Sequence, residues 1–381
     1  MDFSPKRALL TSLPSTAKAQ PIFCLYPKEL RAQAKLILSE LPNPFYAVKA
    51  NTMPLVLQTL HAAGFTHFDV ASLLELKEVR KVNEHAICAF MNPVKQLADI
   101  EAAYRWGVRI FALDCVDELN KIISVTSSQD CTLIVRLALP PNSSIYGMTG
   151  KFGATQDEAV MLLRKISELG YATGMTFHVG SQCEEPSAYI EAIKDVVKVA
   201  STAIVELSVL DVGGGFPARY QGKEAGYKKF SESINEIFNN KINELGNSCI
   251  LQSEPGRSLV ASSGSVLVRV ELRRGNTLFL NAGLHGLLSE LRWMPGFHPV
   301  RRVSADMSPI AIEYVDYSFA GPSCDSGDFM PGPYKLPIDM KAGEWIEIGY
   351  LGAYCVELVT PFNGFGDYQI EVLDGCPQWH Q

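Results

Sequence analysis

The 381-residue sequence has no apolar run approaching the roughly 18 residues needed to cross a bilayer. Its first twenty residues, MDFSPKRALLTSLPSTAKAQ, hold no apolar block of the kind a secretory leader carries. Both absences lead us to expect a cytoplasmic protein with no membrane partner. A positive balance is also missing: 34 Lys and Arg face 41 Asp and Glu, a net charge of −7. No nucleic-acid partner is therefore expected, since that calls for a basic stripe. The nine cysteines (Cys24, Cys88, Cys115, Cys131, Cys183, Cys249, Cys324, Cys355 and Cys376) are odd in number and include no C-x-x-C pair. That excludes a sequence-legible disulfide framework or zinc site, so reduced thiols and no metal are expected. Internal repeats and low-complexity linkers are absent. What is present, 47% hydrophobic and 20% charged residues, is the balance of a globular chain long enough for two or three domains, with a small molecule as the default ligand.

From about residue 27 to 264, short apolar runs alternate with amphipathic stretches of helical length, the pattern of βαβ units. Eight strand candidates stand out: FYAVKA at 45–50, THFDVA at 66–71, AICAF at 86–90, RIFALD at 109–114, TLIVRLAL at 132–139, GMTFHVG at 174–180, ELSVLDVGG at 206–214 and SCILQSEPG at 248–256. Helical segments lie between them, among them 54–64, 73–82, 95–107, 157–170 and 186–201, several closing on glycine. Eight strands, each leading into a helix, predict an α/β fold with a (β/α)8 TIM-like barrel over 27–264; a doubly wound sheet is the alternative. Beyond Arg257 the texture changes to strand-like runs without long helices, predicting a mostly antiparallel β domain from residues 265–381. PIFCLYP at 21–27 is strand-like too, so residues 1–26 are assigned to that same domain.

In a barrel enzyme the C-terminal strand ends build the active site, and several of these strands end in reactive residues. Lys49 closes the first; burial would push it toward the neutral amine that Schiff-base chemistry needs, although a lysine can also snorkel outward. The seventh ends in Asp211-Val212-Gly213-Gly214-Gly215-Phe216-Pro217, where glycine amides can approach an anion or make a tight turn. The eighth ends in Glu254-Pro255-Gly256-Arg257, offering a guanidinium to the same phosphate and a carboxylate at the mouth. His178 ends the sixth, in His178-Val179-Gly180-Ser181. Lysine, phosphate loops and a carboxylate together suggest pyridoxal phosphate, whose ring acts as an electron sink when an acid partner keeps its nitrogen protonated. A phosphosugar enzyme using a lysine is the competing reading.

These motifs, FYAVKAN, FDVAS, HVGSQ, DVGGGFP, EPGR, GPSCDSGD, GAY and TPFNGF, resemble those of the barrel-type pyridoxal-phosphate amino-acid decarboxylases, the ornithine and diaminopimelate decarboxylase family, over nearly the whole chain. The resemblance implies that Lys49 holds the cofactor as a Schiff base, Glu254 its pyridine nitrogen and His178 its ring face. Asp69 and Arg136 would support the lysine and ring. The phosphate would lie among Ser181, Gly213, Gly214, Gly215, Gly256, Arg257 and Tyr354. Cys324 would protonate the carbon that loses CO₂. The resemblance also implies a head-to-tail homodimer, with Cys324 and Asp325 of the partner subunit completing each site, and a polyamine-forming role.

Substrate choice rests on fewer residues. In the family's ornithine enzymes the aspartate after the cysteine, here Asp325, contacts the distal amine; CDSGD could otherwise be a surface turn. A second amine-binding aspartate would fall near Met294, and an expected tyrosine is His285. Glu290 could replace the missing carboxylate, or Arg292 could receive a distal carboxylate. The favoured reading is ornithine to putrescine, with lysine to cadaverine beside it. Diaminopimelate or carboxynorspermidine is the alternative. A non-catalytic regulatory homologue would have lost residues that are present here, and a racemase would set an arginine, not Glu254, against the ring nitrogen.

Overall fold

The computed structural model describes residues 19–140, 150–220, 222, 224, 226–303 and 313–377. The chain divides into two compact units: residues 33–217 with 225–259, and residues 1–32 with 218–224 and 260–381.

In the first unit the eight expected strands form one parallel sheet, neighbours in sequence being neighbours in space: β2 (Tyr46–Ala47), β3 (His67–Val70), β4 (Ile87–Phe90), β5 (Ile110–Leu113), β6 (Thr132–Arg136), β7 (Ala172–Thr176), β8 (Val209–Asp211) and β9 (Ile250–Gln252). The sheet closes on itself. Pro44 bridges Ser253 in parallel, and the amides of Phe45 and Ala47 donate to the carbonyls of Ser253 and Pro255 at 2.8 and 3.2 Å. This is the (β/α)8 barrel, and the doubly wound alternative falls away. Phe45, Ala89, Met91, Ala112, Ile134 and Val209 pack together as an apolar cluster.

The strands are shorter than their apolar runs, because pairing stops where the backbone turns to form the rim. Lys49 accordingly lies not on the first strand but in a 3-10 turn, Val48–Ala50, directly after it. His178 and the glycine run likewise lie beyond their strand ends. The expected helices are present, with Ser72 accepting from the Glu75 amide at one N-terminus and a Thr155/Glu158 capping box at another. Helices Pro27–Glu40, Val116–Ile123 and Tyr227–Leu245 complete the alternation.

The second unit is one mixed sheet. β10 (Gly264–Arg274) is its spine, pairing antiparallel with β1 (Ile22–Leu25), β11 (Thr277–Leu280) and β15 (Trp345–Gly349). Beyond β15 lies β12 (Val300–Val303); beyond β11 lie β13 (Tyr314–Ala320), in parallel, and β14 (Phe329–Pro337). β16 (Gln369–Val372) runs parallel to β1. Most pairs are antiparallel, as expected. Within GPSCDSGDFMPGP the chain becomes β14 from Phe329, and its prolines are tolerable because, among the described residues, the strand pairs with β13 alone. A buried carboxylate ties the sheet together, Glu347 accepting from Tyr26, Ser265 and Arg301 at 3.0, 2.7 and 2.9 Å.

Candidate active site

Register places a polar layer at the upper end of the barrel. Arg136, Thr176, Asp211 and Gln252 are successive partners across β6 to β9. Parallel partners point to one face, so the four side chains line up above the apolar cluster. Asp211, fully buried, accepts from the Gly213 amide at 2.7 Å and from Gln252 Nε2 at 3.4 Å. Burial pulls the Arg136 guanidinium down from its usual value, while Glu254, Asp114, Asp69 and Asp211 hold it up. Asp211 was not among the sequence candidates. Its signal was a charged residue closing an apolar strand just before three glycines.

Lys49 donates from Nζ to Asp69 Oδ2 at 2.9 Å, so the lysine faces a carboxylate rather than snorkelling away. Asp69 is 2% exposed, and its Oδ1 is buried with no hydrogen-bond partner. His178 accepts the Gly180 amide on Nδ1 at 3.0 Å, which leaves the ring's proton to Nε2. Desolvation, with Arg136 and Lys49 nearby, pushes its imidazole down to about 3, so the ring is neutral and able to lie against a flat apolar surface.

The glycine run threads a space that admits no side chain. A Cβ on Gly213 would lie 2.1 Å from the Phe177 carbonyl, on Gly214 2.7 Å from that of Glu254, and on Gly215 2.3 Å from that of Gly180. Gly213 and Gly215 also have φ of +65° and +100°. Arg257 Nε donates to Ser181 Oγ at 3.0 Å, joining loops 76 residues apart. Gly256 sits against Ala47 and Ala50. Glu254 Oε1 is buried and unpartnered; burial, then the charges of Asp211 and Asp69, raise this carboxyl well above its usual value.

A buried acid with an open oxygen, a lysine amine, a neutral imidazole and an anion cradle of glycines, serine and arginine fit pyridoxal phosphate feature by feature. Glu254 Oε1 suits a ring N–H donor, Lys49 the aldehyde, and the Ser181, Gly213–Gly215 and Arg257 cluster a phosphate. Comparison with known sequences is decisive: the family described as pyridoxal-dependent decarboxylase, pyridoxal binding domain, matches residues 28–261. The chain belongs to the pyridoxal-dependent decarboxylases. It is a carboxy-lyase and its cofactor is pyridoxal phosphate. It is 30% identical to mouse ornithine decarboxylase over 371 residues, which covers 90% of this chain and 78% of that one. Among solved structures, the arginine decarboxylase of Paramecium bursaria Chlorella virus matches with a TM-score of 0.83 at 26% identity, covering 96% of this chain and all of that one. The lysine/ornithine decarboxylase of Vibrio vulnificus, solved with putrescine, matches at 0.81 and 27%, covering 97% of this chain and 98% of that one.

The remaining sequence candidates of this decarboxylase lie in its β unit. Cys324 is exposed, and its amide donates to Asn363 Oδ1 at 3.1 Å. His285 Nε2 lies 2.8 Å from Asp325 Oδ2. The Gly327 amide, then His285, hold the Asp325 carboxyl below its usual value, with the Arg292 charge contributing. Arg292 is exposed, whereas Glu290, in the same turn, is 1% exposed. Tyr354 has φ +52° in a loop that docks on the residues around 261–264 through Leu351 and Gly352, and its carbonyl accepts from Ser289 Oγ. Asp328 was missed. Its buried carboxylate accepts from the Leu284 amide and from Ser323 Oγ at 2.6 and 2.7 Å, and it fills the space where Gly283 and Gly321 would carry a Cβ.

Proposed function

We propose that this enzyme decarboxylates a basic L-amino acid, ornithine to putrescine in the first place and lysine to cadaverine beside it. The names of its relatives and structural neighbours support a basic substrate. The observation that carries the choice is Asp325, an ionised, partly exposed carboxylate whose Oδ1 and Oδ2 are oriented by Gly327 and His285. Such a group is suited to a distal ammonium.

Pyridoxal phosphate, when bound, supplies an aldehyde for the substrate amine and a ring that delocalises the electron pair left by CO₂. The chain's residues do the rest. Lys49 supplies the anchoring amine, with Asp69 holding its proton in the unloaded site. Glu254 places a carboxyl at the ring nitrogen, backed by Asp211. His178, kept neutral, covers the ring face without adding charge. Ser181, the three glycines and Arg257 fix the phosphate, with Tyr354 as a further donor. Cys324 of the partner subunit delivers a proton to the carbon that lost CO₂, and Asp325 of the partner subunit holds the distal amine; two copies therefore share each site.

Arg292 favours a second reading. It is exposed and close enough to Asp325 to lower that carboxyl, so a substrate with a distal carboxylate, such as diaminopimelate or carboxynorspermidine, has a cation to meet. CO₂ release from ornithine, lysine, arginine, diaminopimelate and carboxynorspermidine decides between them. Preference for either of the last two overturns the cationic assignment. Mixing Lys49→Ala chains with Cys324→Ala chains tests the shared site: activity returns in the mixture if each barrel uses its partner's cysteine, and stays lost if it does not.

A further inference from the structure

We infer that His285 and Asp325 act as one proton-linked unit that reads charge at the distal end of the substrate, a proton on the imidazole and a cation on the ligand competing for the same carboxylate. The inference deepens the proposed cationic substrate and rests on that reading.

The pair is built rather than incidental. His285 Nε2 lies 2.8 Å from Asp325 Oδ2, while the Gly327 amide occupies Oδ1 at 2.8 Å. The imidazole packs at 4.7 Å against the Phe362 ring, and its own carbonyl accepts from the amide and hydroxyl of Thr360 at 2.9 and 3.1 Å. One residue before it, the Leu284 amide is tied to Asp328, which also binds Ser323 on the loop that carries Asp325. Both partners are nevertheless open to solvent, with side chains 29% and 38% exposed, so a ligand can reach them.

Asp325 faces the imidazole directly, Arg292 acts on Asp325, and Asp328 is already committed to the Leu284 amide and Ser323. Imidazole is the side chain whose charge changes between about pH 5 and 8. When His285 carries a proton, the pair is a closed ion pair with no net charge. When it is neutral, Nε2–H still donates, but Asp325 keeps its full negative charge for an incoming ammonium. A substrate cation therefore favours the neutral imidazole, and by reciprocity a protonated imidazole disfavours the cation. Arg292, a fixed positive charge, deepens the contrast, since with His285 protonated two cations oppose one carboxylate.

The test uses the loaded enzyme and two variants, His285→Gln, which keeps an amide donor but cannot titrate, and Asp325→Asn. For the wild type, KM for ornithine should rise by about tenfold from pH 7.5 to 5.5 beyond the change in His285→Gln, with kcat following the same profile in both. Equal KM profiles in the two proteins overturn the inference. Independently of turnover, the imidazole resonance of His285 is followed by NMR with labelled histidine. Asp325→Asn should move its titration to lower pH, and putrescine should do the same in the wild type. No response to Asp325→Asn overturns the pairing itself. A response to Asp325→Asn but none to putrescine, cadaverine or agmatine keeps the pair, overturns its reading of cations, and marks the proposed substrate class as the part that failed.

Discussion

At the barrel rim Asp69, Asp211 and Glu254 are 2%, 0% and 8% exposed, whereas in the β unit Cys324, Arg292 and much of the Asp325 side chain stand in solvent. Desolvation displaces His178 down to about 3 and Asp211 up to about 6, and raises Glu254. Asp325 is shifted by hydrogen bonds, from the Gly327 amide and His285. One region spends burial to preset charges that a cofactor must meet. The other keeps its reactive groups wet and reachable and fixes them by backbone ties. The rim groups are positioned by the fold's interior and those of the β unit by loop geometry, so on the proposed roles the two sets should fail differently under mutation.

The largest effect is expected for Lys49→Ala, which should remove both the visible absorbance of the loaded enzyme and CO₂ release, activity falling by about 10³-fold or more. Retained colour and turnover would contradict the assignment of this lysine. Cys324→Ala should cost about 10²-fold in kcat while leaving the absorbance band in place. If colour and kcat fell together, the separation between the two regions would be broken.

Backbone substitutions sharpen the same contrast. Gly213→Ala puts a Cβ 2.1 Å from a carbonyl oxygen at φ +65°, and should destabilise the barrel by about 3 kcal/mol or more. Gly275→Ala, in the β unit, has φ +58° but nothing within 4 Å, so the left-handed strain alone remains, about 1 kcal/mol. Thermal melts of the two variants should fall in that order; equal losses would mean the glycine run is not as crowded as described.

The smallest effect concerns pH. His178 is neutral in the fold, with its value lowered from 6.5 to about 3. Between those values the unfolded chain binds more protons, so stability drops as pH falls from about 6.5 toward 3. Asp211, raised from 3.8 to about 6, works in the opposite sense, since the folded chain binds more protons across its window. Asp211→Asn should therefore steepen the acid loss of melting temperature and His178→Gln should flatten it. The reverse pairing would refute the charge assignments at the rim.

Much of the barrel is legible in the sequence because short apolar runs alternate with helical stretches, and several of those runs end in the glycines and charges that form the rim. The ends of the strands are less legible: hydrophobicity continues into the turn that carries Lys49, since Val48 and Ala50 are buried there too. Val116–Ile123 spans barely two turns, too short for a helical period to stand out. β14 is masked by its prolines. At the site, Asp211 carried a signal at the end of its strand, whereas Asp328 did not: it acts through the Leu284 amide and the Ser323 hydroxyl, and no spacing rule marks such partners. The contact between His285 and Asp325 joins positions 40 apart, which only the folded loops bring together.

β1 lies between β10 and β16, strands formed from sequence on the far side of the barrel. During synthesis, therefore, Ile22–Leu25 is made before the barrel, its first partner β10 directly after the barrel, and its second partner β16 last of the strands described. An apolar strand left unpaired in the meantime is a template for pairing with a neighbouring chain. The order of assembly thus leaves one early strand unpaired while the barrel is made, and a pause in translation before β10 would prolong the interval in which nascent copies can pair with each other.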